Sequence, residues 1–127
     1  MRYTKVVSTH DAESRFEDVD VEMKPAFAAK GLPPLLLSAP VSVASLAFLQ
    51  QPEGVGEWEL HPAPRRQFAI VLSGRVAVQT SDGARRDFAP GDVLLLEDTT
   101  GKGHVSTTDD VCFRIAGGID GNSSEGT

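Results

Sequence analysis

The sequence has one cysteine, no convincing helical periodicity and no long uninterrupted apolar segment. A single thiol, Cys112, cannot form an internal disulfide, and residues 1–15 contain no apolar core of the kind found in secretory signals. We therefore expect a cytoplasmic protein. The most apolar region, residues 32–49, is interrupted by three prolines, Pro33, Pro34 and Pro40, so we expect no membrane association.

Basic residues are also few and scattered. The 127 residues include 12 lysines and arginines against 18 aspartates and glutamates, for a formal net charge of -6. Clustered basic residues bind phosphate backbones, and the pairs Arg65-Arg66 and Arg85-Arg86 are too short for that, so we expect no nucleic-acid partner. The length indicates one domain, to which we assign residues 1–118, with residues 119–127 as a flexible tail.

Apolar and polar residues alternate in the way typical of β-strands. Val19, Val21 and Met23 alternate with acidic residues, and residues 41–50 form a second segment of small and apolar side chains. From Gln67 onward, short apolar runs ("QFAIVL", "RVAVQT", "VLLL", "VCFRIA") are separated by glycine, proline, aspartate and serine, which predicts successive antiparallel hairpins. The predicted class is all-β, and a closed barrel or a two-sheet jelly roll would protect the sheet edges.

The polar segment "EDTTGKGHVS" contains glycines and a lysine but is not a phosphate-binding loop. Leu96 takes the place of the first glycine of such a loop, and Gly103 follows Lys102 where a hydroxyl residue is required. The segment also lies between two predicted strands instead of preceding a helix. We interpret it as a connection that ends at His104, fixed by side-chain to backbone hydrogen bonds of residues 98–100.

Two segments, "WELHPAPRRQFAIVLSG" and "FAPGDVLLLEDTTGKGHVS", resemble the two motifs of the cupin superfamily over about residues 56–106. His61 matches the first histidine of the first motif, Gln67 stands where the family has a glutamate, and His104 matches the histidine of the second motif. Ala63 replaces the second histidine of the first motif. The resemblance implies a cupin-type jelly-roll β-barrel, or double-stranded β-helix, that holds a small molecule inside.

One implication of the resemblance is a metal site on His61, Gln67 and His104, with Fe, Mn, Ni or Zn in an oxygenase or isomerase. Two imidazoles and an amide provide no anionic ligand, so such a site would bind a divalent ion weakly. Glu59 or an acidic residue at 97–98 could complete the shell, but none stands at a ligand position of the family.

The alternative is an enzyme that requires no metal, as are some cupins that this chain resembles. Imidazoles in an apolar cavity titrate near neutral pH, so we predict that His61 and His104 transfer protons while Gln67 orients the substrate. That chemistry suits an isomerase, cyclase or lyase of biosynthesis, whose carboxylate or enolate an arginine would hold. The predicted substrate-binding residues are Arg65, Arg66, Trp58, Val71, Val78 and Phe113.

The barrel could also bind a metabolite without converting it. In that case His61, which precedes Pro62, could be a rim residue hydrogen-bonded to backbone. The loop before His104 is predicted to bring that histidine to the barrel mouth opposite His61, whether the site binds or catalyses.

The segment from residue 67 to residue 72 is apolar on both of its faces. Its odd-numbered side chains point into the predicted barrel and its even-numbered ones point outward. Either the N-terminal strands or a second subunit would cover the outer face, and we expect a homodimer.

Overall fold

The computed structural model describes residues 1–27, 29–53 and 59–119, which form eleven β-strands. Trp58 and all but the first residue of the predicted tail lie outside these residues. The strands are β1 Arg2–Ser8, β2 Ser14–Asp20, β3 Lys24–Ala26, β4 Leu35–Leu37, β5 Ser45–Gln51, β6 Gln67–Ser73, β7 Val76–Thr80, β8 Arg85–Phe88, β9 Val93–Leu96, β10 His104–Thr107 and β11 Cys112–Gly118. None of the described residues forms a helix that could span a membrane. The all-β class is confirmed.

The strands form two facing sheets and a small ribbon. The six-stranded sheet has the order β2-β1-β9-β6-β11-β5, in which only β1 and β9 run parallel. The three-stranded sheet has the order β10-β7-β8, and β3 pairs with β4 alone. His61 extends the smaller sheet through an isolated antiparallel bridge to His104. No ladder of the described residues joins the two sheets, so the predicted barrel takes the form of a two-sheet jelly roll.

The core lies between the two sheets. Its buried members are Val6, Val71, Val76, Val78, Phe88, Leu94 and Cys112, with Phe16, Ala69 and Leu96 packed against them. Burying each valine or leucine contributes about 1.5–3 kcal/mol. Along β6 the side chains alternate as predicted, since Gln67 and Ala69 line the interior while Phe68 lies on the outer face.

The N-terminal strands differ from the predicted boundaries. Alternating residues predicted a strand that continues to Met23, but β2 ends at Asp20. Its partner β1 begins at Arg2, which pairs with Asp20, so no strand remains to continue the ladder. The length of a strand depends here on its neighbour as well as on its own alternation.

The last strand, β11, places one predicted substrate-binding residue, Phe113, outside the cavity lining. Its register with β6 shifts between Phe113 and Arg114, and the pairing is regular from Arg114 to Gly118. Phe113 is 41% exposed and does not line the interior, whereas Arg114 does. The alternation of side chains along a strand gives the inward position to the arginine instead of the aromatic ring.

Candidate functional site

A cavity of about 60 Å³ lies between the sheets. It is lined by Leu49, Gln67, Ala69, Val76, Val78, Leu94, Leu96, Ser106, Arg114 and Ala116. Two predicted site residues, Gln67 and Val78, are therefore at the interior, and Val71 is buried in the adjoining core. The lining is mostly apolar with a few polar groups, which is the usual composition of a small-molecule site.

His61 and His104 lie side by side, and neither is among the residues that line this cavity. Each donates its backbone N–H to the other's carbonyl oxygen, with both N···O distances 3.0 Å. Their ring centroids are 5.4 Å apart. His104 precedes Ser106 by two positions, so both side chains of β10 point to the cavity side. The structure thus brings the two histidines together on one sheet and corrects the prediction that they face each other across the barrel.

Gly103 permits this close approach of the two histidines. Its φ of +74° lies in the left-handed region, and a Cβ atom there would overlap the carbonyl oxygen of His61. The hydroxyl of Ser14, which is fully buried, donates to the Gly103 carbonyl at 2.6 Å. Glycine is therefore required by both backbone conformation and space.

Asp98 fixes the orientation of the His104 ring. It is 0% exposed, and its Oδ2 lies 2.5 Å from His104 Nδ1, while His104 itself is 4% exposed. A carboxylate accepts the Nδ1 proton and leaves Nε2 with its lone pair, as in carboxylate–histidine pairs of enzymes. The sequence predicted that Asp98 forms side-chain to backbone hydrogen bonds in the loop or completes a metal shell, and it did not predict this contact. A carboxylate six residues before a histidine was the available signal, but its meaning depends on the path of the loop.

Replacing Asp98 with asparagine is expected to release His104 from the Nδ1-protonated tautomer, because a neutral amide can donate to Nδ1 as well as accept from it. Two-bond ¹H–¹⁵N spectra of labelled imidazoles at pH 8 should show a pyridine-like Nε2 in the unmodified protein and a different pattern in Asp98→Asn. Asp109→Asn serves as the control, because it removes a carboxylate that is exposed. A pyridine-like Nδ1, or two protonated nitrogens, in the unmodified protein would contradict the assignment.

Arg66, a predicted substrate contact, is engaged elsewhere. Its guanidinium lies 2.8 Å from Glu97, which is also 3.3 Å from Lys5. Burial raises the pKa of Glu97, but the hydrogen bonds from Arg66 and Lys5 outweigh it and hold that pKa below its usual value. Arg66 does not line the cavity. In the structure this cation holds Glu97 at the start of the loop.

Arg65 stays close to the site. It donates to Gln67 Oε1 at 3.4 Å, and its Nε is buried without a hydrogen-bond partner among the described residues. Its Cδ also lies near Gly118, where an added Cβ would contact it. Arg65 and Gln67 are therefore neighbours, and of the two only Gln67 lines the cavity.

The residues present fit a divalent metal poorly. In the three described stretches, no three histidine, cysteine, aspartate or glutamate side chains form a group that could hold an ion. Of the acidic candidates, Glu97 is paired with two cations, Asp98 is bound to His104, and Glu59 is exposed. Two imidazoles and an amide remain, without an anionic ligand. We therefore derive no chemical step through a metal.

Comparisons with known proteins agree with this architecture. A family model described as the cupin domain matches residues 47–115. A solved structure described as ethanolamine utilization protein Q of Salmonella typhimurium LT2 is 16% identical, with 96% of this chain and 98% of that chain covered and a TM-score of 0.50. The cupin 2 conserved barrel domain protein of Salinispora arenicola CNS-205 is 21% identical, with 83% and 80% covered and a TM-score of 0.49. No curated protein matches significantly. Because the family model covers more than half of the sequence, this chain belongs to the cupin family.

Proposed function

We propose that the protein is an enzyme that moves a proton on a small organic molecule at the interior of the cupin domain, without requiring a metal. The observation that carries the proposal is the buried Asp98–His104 pair beside His61. A fully buried carboxylate 2.5 Å from an imidazole is costly to maintain for stability alone, since its second oxygen, Oδ1, has no hydrogen-bond partner among the described residues. It is useful if it keeps one imidazole nitrogen ready to accept a proton.

The proposed reaction is an isomerisation in two proton transfers. His104 Nε2 accepts a proton from a carbon next to a carbonyl group, and the bonding electrons pass to the carbonyl oxygen as an enolate. Gln67, at the cavity, donates a hydrogen bond to that oxygen. A proton then returns to a different atom from protonated His61 or from His104, so no net proton is gained or lost. Cyclisation and elimination begin with the same first step.

Contacts of His61 are consistent with this second role. Its Nδ1 lies 3.1 Å from the carbonyl oxygen of Pro62, to which a protonated Nδ1 donates. That carbonyl keeps the ring oriented. A hydrogen bond from Nδ1 to backbone does not conflict with a role in proton transfer, because an imidazole has a second ring nitrogen.

The test is proton exchange with solvent. The protein, purified without affinity-tag metal, is incubated in D₂O with short keto acids, hydroxy acids and carbonyl compounds, and loss of carbon-bound protons is followed by NMR. We expect one class of compound to incorporate deuterium faster than in buffer. Binding without exchange would favour a non-catalytic cupin. A stoichiometric metal whose removal abolishes exchange would overturn the metal-independent step.

We further propose that two chains associate through the apolar surface formed by residues 27–48. Eight large side chains described there are more than half exposed: Phe27, Leu32, Leu35, Leu36, Leu37, Val41, Leu46 and Phe48. The last two belong to β5, one of the two edge strands of the larger sheet. A soluble monomer rarely exposes apolar side chains of this size contiguously.

Phe48→Glu is expected to convert the proposed dimer to monomer. Phe48 is 77% exposed in the single chain, and burying a glutamate at its place would weaken association by about 100-fold or more. Sedimentation equilibrium measures this directly. Gln79→Glu, on an exposed position of the smaller sheet, is the control. A monomer at tens of micromolar unmodified protein would contradict the proposal.

A further inference from the structure

Arg114 places a positive charge at the interior of the fold. The residue lies on β11, is partly buried and lines the cavity between the sheets. Within residues 1–27, 29–53 and 59–119, no side chain or carbonyl oxygen forms a hydrogen bond or ion pair with its guanidinium. The cavity lining contains no aspartate or glutamate.

This distinguishes Arg114 from most arginines of the chain. In the part of the chain that the structure describes, five arginines form ion pairs with carboxylates: Arg2, Arg15, Arg66, Arg85 and Arg86. Those ion pairs lie toward solvent, where water already stabilises a charge. Arg114, which lines the apolar interior, forms no ion pair with the described residues. A partly desolvated cation without a counter-charge is unfavourable. Acidic residues are in excess in the sequence, so a partner could readily have been supplied by the chain itself.

We propose that Arg114 binds the anionic end of the ligand, and that this ligand is a short carboxylic acid. A guanidinium recognises a carboxylate through two parallel hydrogen bonds, and these are stronger in an apolar setting than in water. The remaining lining residues are mostly apolar, which suits the carbon chain of such an acid. The sequence had predicted this contact for Arg65 and Arg66, of which Arg66 is paired with Glu97 and Arg65 lies at the edge.

The size of the cavity limits the ligand. A volume of about 60 Å³, at 10–15 Å³ for each water, accommodates roughly four to six non-hydrogen atoms. Acetate, propionate, pyruvate and lactate are in this range. The proposal therefore excludes sugars, nucleotides and fused-ring acids as ligands of this conformation.

The position of Arg114 also orients the ligand. Arg114 pairs with Val71 on β6, while Gly118 pairs with Gln67. Gln67 also pairs with Leu96, two residues before the Asp98 that contacts His104. The same cavity is lined by Arg114 and Gln67. A carboxylate on Arg114 would thus direct its other end toward Gln67 and His104. Only this orientation rests on the proposed proton transfer; the anion site itself does not.

The experiment measures binding and not turnover. Acetate, propionate and pyruvate are titrated into the ¹⁵N-labelled protein at constant ionic strength, with acetamide and propionamide as neutral counterparts. We expect the carboxylates, and not the amides, to shift the Arg114 Nε–Hε resonance. Arg114→Leu should weaken carboxylate binding by about 10- to 100-fold. Its stability without ligand should be unchanged or higher, because an unpaired charge has been removed.

Control variants separate this site from its rivals. Arg85→Gln, on the exposed surface, should bind as the unmodified protein does. Arg114→Gln keeps a hydrogen-bonding group and replaces the leucine variant if that does not fold. Equal binding of amides and carboxylates, no carboxylate binding at all, undiminished binding in Arg114→Leu, or loss only in Arg65→Gln would each overturn the proposal. Carboxylate binding through Arg114 without deuterium exchange would instead retain this site and refute the proposed enzyme.

Discussion

His104→Asn is expected to lower the rate of deuterium incorporation by about 10²- to 10⁴-fold, the contribution typical of a general base. The asparagine side chain places an amide N–H near the position of Nδ1, so the contact with Asp98 is retained. It has no atom at the position of Nε2, so the proton acceptor is lost. The variant removes the proposed base while leaving its buried carboxylate partner hydrogen-bonded, which limits damage to the fold.

The measurement compares exchange rates and folding in the same samples. His10→Asn is the matched control, because His10 is exposed and lies outside the site. His61→Asn should have a smaller effect if His104 can return the proton itself. Near-unchanged exchange in His104→Asn, with the fold intact by near-ultraviolet circular dichroism, would show that His104 is not the base. A decrease in exchange rate no larger than that of His10→Asn would lead to the same conclusion.

Gly103→Ala is expected to lower the free energy of unfolding by about 3 kcal/mol or more. The left-handed conformation alone costs an alanine roughly 1–2 kcal/mol. In addition, its Cβ would overlap the His61 carbonyl, so the loop must move and the two backbone hydrogen bonds between His61 and His104, each contributing about 1 kcal/mol, are strained or broken. The same movement would separate the two imidazoles.

Urea unfolding measures this change, and Gly83→Ala supplies the matched control. Gly83 has a φ of +90°, but a Cβ there meets nothing within 4 Å. It should therefore show only the conformational cost of roughly 1–2 kcal/mol. Equal destabilisation of the two variants would mean that the loop does not approach His61 as closely as described.

The fold could be predicted from the sequence because local patterns determine it. Along β6 each residue from Gln67 to Leu72 alternates between the interior and the outer face, and the glycines and prolines between apolar runs mark the turns. His61, Gln67 and His104 could be identified because they stand at fixed spacings within the two cupin motifs. The direct bridge between His61 and His104 could not be predicted, because it joins residues that are distant in the sequence.

The parts of the site that could not be predicted depend on long-range geometry. The Asp98–His104 contact is set by how the loop folds back, and the spacing of six residues between them does not reveal that path. The inward position of Arg114 depends on the register of β11 beside the bulge at Phe113, where a shift by one residue exchanges the two faces. Arg66 could not be assigned to Glu97 because 31 residues separate them.

Residues near the N-terminus hold the loop that carries His104 in place. The Lys102 N–H donates to the Ala12 carbonyl at 2.9 Å, the Lys102 ammonium lies 2.6 Å from Glu13, and Ser14 bonds to Gly103. Ala12 and Glu13 lie in the turn between β1 and β2, and Ser14 is the first residue of β2. All three lie outside the segment that the family model matches. A domain swap or graft that transferred only the two cupin motifs would carry both histidines and leave behind the support that aligns them. A transfer of the site to another protein would therefore have to include the N-terminal residues that support the loop as well as the two motifs.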